Sequence, residues 1–190
     1  MKINKKDILN LPNLLSLYRF ILGLIFPFLW IKKISIKVLL FLIGTAVLSD
    51  TLDGNLARIL KQKTDLGKIL DPLADKVFIN MLFVILYLNQ NISLFFLLII
   101  FLRDLSILIG GGILLLKSYQ TIDLNPTFLG KSCTVSQLVF LFLYFFHLFI
   151  KPLNSFLIIG FTQIVIFLTI LSGIQYGFIF YTNFTKSPIR

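Results

Sequence analysis

Residues 49–76 read SDTLDGNLARILKQKTDLGKILDPLADK, and this stretch decides how the rest of the chain is understood. It holds Asp50, Asp53, Asp65, Asp71 and Asp75 in a protein of 190 residues with 8 acidic side chains, all of them aspartates. Asp50, Asp53, Asp71 and Asp75 lie within or against apolar sequence. An ionised carboxylate in a membrane or a dry core costs at least a few kcal/mol unless it is paired or holds a cation, so four together need a physical reason.

Around this stretch the composition is that of a membrane protein, with 57% apolar residues and 21 phenylalanines. The net charge of +10 does not signal nucleic-acid binding, because the basic residues form no dense patch and sit mostly at the ends of apolar runs. A single cysteine, Cys133, excludes an intrachain disulfide and any multi-cysteine metal site, and reads as a small residue packed in a helix. The N-terminal MKINKKDILNLPN precedes an apolar run long enough to span, with no small-residue cleavage site, and is expected to lead into a retained first helix.

An apolar run of about 20 residues crosses a bilayer core. Six candidates, at 14–31, 36–57, 69–88, 92–116, 134–150 and 155–181, predict an all-α, polytopic membrane protein forming one domain over residues 1–190. With six crossings, Lys2, Lys5, Lys6, Arg58, Lys61, Lys63, Lys68, Lys117, Lys131, Lys186 and Arg190 share one side, against Lys32, Lys33, Lys37 and Lys151 on the other. That bias places both termini in the cytoplasm, at the cell membrane. Asn10, Pro12, Asn13, Ser16 and Arg19 form a polar opening expected to lie along the cytoplasmic interface, with Asn10 or Asn13 as a helix cap. Trp30, Tyr87, Tyr144 and Tyr181, like the lone His147, read as interfacial residues.

Asp50 and Asp53 are three apart on the second segment, and Asp71 and Asp75 four apart on the third, so each pair shares a helix face. Gly67 starts the third helix and Pro72 falls in its first turns. A short loop between the segments makes them antiparallel neighbours, whose carboxylates can converge near the cytoplasmic ends. Oxygen ligands without histidine or cysteine select Mg²⁺, Mn²⁺ or Ca²⁺, and four carboxylates on two facing helices suit a two-metal site for displacement at phosphorus. Arg58 and Lys68 would suit a diphosphate. The alternatives are a buried ion network with Arg58, Lys68, Lys76 and Arg103, and a cation transporter; clustering of the acids at one depth favours an enzyme acting on a lipid.

Asp50, Asp53, Gly54, Ala57, Arg58, Gly67, Asp71 and Asp75 match at every position the signature D-x2-D-G-x2-A-R-x8-G-x3-D-x3-D. In this the chain resembles the CDP-alcohol phosphatidyltransferases. The resemblance implies a six-helix membrane fold, a homodimer, and a site opening to the cytoplasm in which two divalent ions, Mg²⁺ or Mn²⁺, are held by Asp50, Asp53, Asp71 and Asp75. It further implies CDP-diacylglycerol as donor, CMP as leaving group, and Asp75 as the general base for the acceptor hydroxyl. Gly54, Ala57 and Gly67 would admit the nucleotide beside Asp50 and Asp53, and Arg58 would meet its phosphates.

The opening NLPNLLSLYR, DPLADK at 71–76 and LSGIQY at 171–176 resemble the phosphatidylglycerophosphate synthases of that family and favour glycerol 3-phosphate as acceptor. FLRDLSILIGG at 101–111 and NPTFLGKSCTVSQ at 125–137 resemble its cardiolipin synthases, whose acceptor is phosphatidylglycerol, and a glutamate would be expected in place of Asp104 in the glycerophosphate branch. Both acceptors carry a phosphate, for which Arg103, Lys131 and Arg19 are the candidate ligands. The plain alternatives are a salt bridge for Arg103, an ordinary positive-inside role for Lys131, and snorkelling for Arg19.

Overall fold

Long apolar runs punctuated by lysine, asparagine and proline fold into helices joined by short turns. The computed structural model describes residues 10–59, 67–117 and 127–186, with the side chains of 50–59, 68–69, 114–117, 184 and 186 outside the description. Within it the regular elements are six α-helices: α1 Leu11–Ile31, α2 Ile36–Ile59, α3 Gly67–Leu88, α4 Leu94–Lys117, α5 Phe128–Phe149 and α6 Ser155–Lys186. Each predicted segment has its helix. The fifth begins earlier than expected because Thr127 caps it, its side chain accepting from the Gly130 N–H at 3.0 Å.

Among the described residues, four helices are long and apolar enough to cross a bilayer: Leu11–Ile31, Leu94–Ile113, Phe128–Phe149 and Ser155–Asn183. The chain is accordingly an integral membrane protein. In α2 the described apolar part is shorter, Ile36–Ser49, and α3 is interrupted by Asp71, Asp75 and Lys76, so the helices that carry the signature aspartates are those that depart from a plain span.

Helices α1, α2 and α3 form one packed set, in which α1 lies against both others. The polar opening forms the first half of α1, with Asn13, Ser16 and Arg19 all buried. Asn10 occupies the cap position without a side-chain capping bond, and residues 1–9 lie outside the described residues. The opposite face of α1 exposes Leu14, Leu17, Ile21, Leu24, Ile25 and Phe28. Apolar outside and polar inside is the pattern of a helix whose surroundings are lipid.

Helices α1 and α3 run parallel, as three contacts in constant register show: Ser16 meets Asp71, Arg19 meets Asp75, and Gly23 meets Phe78. Phe26 then packs edge-on against Phe78, with ring centroids 6.2 Å apart. Pro72 lies inside α3, in the first turns as its position predicts, and is exposed. α1 ends with Lys33 in the left-handed region at φ 52°, which lets the Ile34 N–H reach the Leu29 carbonyl.

Helices α4, α5 and α6 form a second set, in which α6 packs along both others and Phe96 meets Phe140 edge-on at 5.2 Å. Ile100, Cys133, Phe140, Leu141 and Val165 are buried there, Cys133 as the small packed residue that its sequence context predicts. His147, expected at the interface, has a structural role: its Nδ1 accepts the Leu153 N–H at 2.8 Å and ties down the turn between α5 and α6.

Candidate active site

A carboxylate on an apolar helix is stable only where donors reach it, and α1 supplies them to α3. Asp71 and Asp75 stand one turn apart on one face of α3, as their spacing predicts, with Ala74 fully buried behind them. Arg19 Nη2 is 2.8 Å from Asp75 Oδ1; the arginine side chain is 3% exposed and that of the aspartate 39%. The cation is thus deep in the helix packing and the carboxylate stands at its edge, partly exposed.

Ser16 Oγ lies within reach of two acceptors, the Pro12 carbonyl at 3.1 Å and Asp71 Oδ1. Its single proton is best spent on the charged oxygen, since a hydrogen bond to a carboxylate is roughly twice as strong as one to a neutral carbonyl. Asp71 and Asp75 are therefore both held from α1. Gly67, the first residue of α3, is buried. Asp50, Asp53, Gly54, Ala57 and Arg58 lie on the last turns of α2, but their side chains, like that of Lys68, are outside the described residues, and so is the expected convergence of the two aspartate pairs. Among the described residues no three carboxylate, histidine or cysteine groups come together. The donor set nonetheless fits a hard divalent ion: two carboxylates one turn apart, partly open, with buried donors fixing them from one side.

The second set of helices holds its own polar cluster. Arg103, 6% exposed, donates from Nη1 to Asp104 Oδ1 at 2.7 Å and from Nε to Ser172 Oγ at 3.1 Å. Its guanidinium also lies over the Tyr176 ring, 5.6 Å from the centroid. Tyr176 in turn places its hydroxyl against Gly130 and accepts the Thr127 N–H at 3.4 Å. Arg103 is thus salt-bridged to the aspartate beside it, whereas Lys131 is exposed on the first turns of α5.

Ser16, Ser172 and Tyr176 were not singled out by the sequence as site residues. The available signal was spacing, for Asn13, Ser16 and Arg19 recur every three residues in a helix otherwise dominated by leucine, isoleucine and phenylalanine.

A family model described as CDP-alcohol phosphatidyltransferase matches residues 9–175. The chain is 37% identical over 131 residues to a CDP-diacylglycerol–glycerol-3-phosphate 3-phosphatidyltransferase of Aquifex aeolicus, covering 67% of this chain and 70% of that one. It is 37% identical over 107 residues to a protein of the same description from Mycoplasma genitalium, covering 56% of this chain and 44% of that one. It is also 32% identical over 140 residues to a cardiolipin synthase (CMP-forming) of Streptomyces coelicolor, covering 70% of this chain and 63% of that one. The chain spans less than two thirds of the length of the last two relatives.

Proposed function

Because the chain belongs to the CDP-alcohol phosphatidyltransferase family, we propose that it transfers the phosphatidyl group of CDP-diacylglycerol to the hydroxyl of glycerol 3-phosphate, forming phosphatidylglycerophosphate and CMP. The observation that carries this reading is the complete eight-position signature from Asp50 to Asp75 in a chain 37% identical to a relative described by that reaction. Family membership also sets aside the cation transporter.

Asp50, Asp53, Asp71 and Asp75 would hold two divalent ions, Mg²⁺ or Mn²⁺, which when bound neutralise the diphosphate and the departing CMP. Asp75 takes the proton from the acceptor hydroxyl, whose oxygen attacks the phosphatidyl phosphorus while the bond to the CMP oxygen breaks and its electron pair leaves with CMP. Arg58 pairs with the donor phosphates, and Gly54, Ala57 and Gly67 leave room for the nucleotide. Lys131 and Arg103 serve the acceptor phosphate, with Arg19, already paired with Asp75, the weaker third. Lys131 is the most open of the three, since Asp104 already matches the charge of Arg103 and Asp75 that of Arg19.

In this reading residues 1–190 form one catalytic domain with six membrane crossings, both termini and the site face the cytoplasm at the cell membrane, and the enzyme works as a homodimer. The charge bias of the loops supports the orientation.

A second reading has phosphatidylglycerol as acceptor and cardiolipin as product. Asp104 in place of a glutamate and the likeness to the Streptomyces coelicolor cardiolipin synthase favour it. Purified protein in detergent with CDP-diacylglycerol, Mg²⁺ or Mn²⁺ and one acceptor at a time tests both. CMP released on addition of glycerol 3-phosphate, stopped by EDTA and restored by excess metal, is the expected result; no CMP with any alcohol would overturn both readings.

A further inference from the structure

We infer that Ser16 and Arg19 are positioning residues: from the buried face of α1 they set the side chains of Asp71 and Asp75, so that two carboxylates of the site are oriented before any cation binds. The inference rests on Asp71 and Asp75 being metal ligands, with Asp75 also the base. It adds a role for α1, which carries none of the signature residues.

Three observations carry it. The two helices run parallel in fixed register, so a donor three residues further along α1 meets an acceptor four residues further along α3, and each carboxylate meets a donor from α1. Both donors are buried, Ser16 at 0% and Arg19 at 2% exposure, so each is held by packing while the aspartates stand at the edge of the interface. Gly23 lets the backbones approach one turn beyond Arg19, where a Cβ would lie 3.0 Å from Phe78 Cα, and this closeness keeps the short Ser16 side chain within reach of α3.

The two residues act on a bound cation with opposite sign. The Ser16 hydroxyl orients Asp71 and brings no charge, so its loss lets the carboxylate rotate away and weakens the cation. Arg19 orients Asp75 but adds positive charge beside a cation site, so its loss leaves cation affinity equal or tighter while Asp75 is no longer aimed at the acceptor. A merely structural role would weaken both properties together.

The test is a titration of purified protein in detergent micelles with Mn²⁺ alone, free Mn²⁺ being read by electron paramagnetic resonance, alongside steady-state CMP release and thermal unfolding. Ser16→Ala is expected to raise the Kd for Mn²⁺ about tenfold, in the range lost when a group supporting a metal ligand is removed, and Ser16→Thr to restore it. Arg19→Gln is expected to leave that Kd unchanged or lowered while kcat falls about a hundredfold, as for a misplaced catalytic group, with Arg19→Lys intermediate. Wild-type Mn²⁺ affinity and turnover in both Ser16→Ala and Arg19→Gln would overturn the inference, as would a parallel loss of cation affinity and Tm in both. Asp71→Asn separates the two levels: retained Mn²⁺ affinity there would remove the metal-ligand reading itself, whereas lost affinity beside an unaffected Ser16→Ala would remove only the positioning role.

Discussion

Gly23 of α1 and Phe78 of α3 meet backbone against backbone: a Cβ at position 23 would lie 3.0 Å from Phe78 Cα and 3.2 Å from its amide nitrogen. Neither atom can swing aside as a side-chain tip would. In lipid no hydrophobic drive pulls helices together, so such close van der Waals contact, with the Ser16–Asp71 and Arg19–Asp75 pairs, holds α1 to α3.

Gly23→Ala is therefore expected to destabilise the protein by about 1–3 kcal/mol, the usual cost of overpacking, and Gly23→Leu by more. Thermal unfolding in detergent measures this. Turnover is expected to fall with the helix separation in Gly23→Leu, because Ser16 and Arg19 move away from their carboxylates; a Gly23→Leu protein as stable and active as wild type would contradict the packing described here.

Asp75→Asn is expected to lower kcat by at least a thousandfold, within the range of a lost general base, with the KM for CDP-diacylglycerol changed little. It also strips buried Arg19 of a carboxylate partner, at about 1–2 kcal/mol given that Asp75 is 39% exposed. The double variant Asp75→Asn with Arg19→Gln is expected to recover stability and no activity. Activity recovered in the double variant would show that the single change acted through stability.

Lys131→Ala is expected to raise the KM for the acceptor about tenfold with unfolding within about 0.5 kcal/mol of wild type, since Lys131 is exposed. Arg103→Ala is expected to raise the acceptor KM more than the nucleotide KM and also to destabilise by about 3–5 kcal/mol, because it leaves Asp104 buried without its cation. Equal effects on both substrates would contradict the assignment of either cation to the acceptor.

Gly130→Ala is expected to destabilise the second helix set, because its Cβ would lie 2.6 Å from the Tyr176 hydroxyl and 2.9 Å from its ring. Tyr176→Phe removes the nearer atom and the bond from the Thr127 N–H, at about 1 kcal/mol by itself. In the double variant the two losses are expected to add to less than their sum; strict additivity, read from unfolding midpoints, would mean that the residues do not meet.

The helices and the α3 carboxylate pair were legible in the sequence because each depends on local pattern: apolar runs of spanning length, and aspartates four apart. The burial of the polar opening is not legible in the sequence, because Asn13, Ser16 and Arg19 make an amphipathic helix whether their face meets an interface or another helix. Only tertiary contact shows that their face is turned inward, against α3. Arg103 carried a clear signal of cost, as a cation in an apolar segment, and the structure pairs it with the adjacent Asp104. The joint use of Arg103 by Ser172 and Tyr176 was hidden, since those residues lie on α6, far along the chain. Position 128 as the start of α5 was missed because threonine capping outweighs the polar look of residues 127–133.

The central claim is that the Asp50–Asp75 signature transfers a phosphatidyl group to an alcohol, with glycerol 3-phosphate preferred. Its most direct test is mass spectrometry of the lipid made by the purified protein in CDP-diacylglycerol liposomes containing phosphatidylglycerol, with Mn²⁺ and an equal concentration of glycerol 3-phosphate. Phosphatidylglycerophosphate as the main product, absent with Asp75→Asn, is the expected result. Cardiolipin as the main product would contradict the acceptor assignment, and unchanged CDP-diacylglycerol would contradict the reaction.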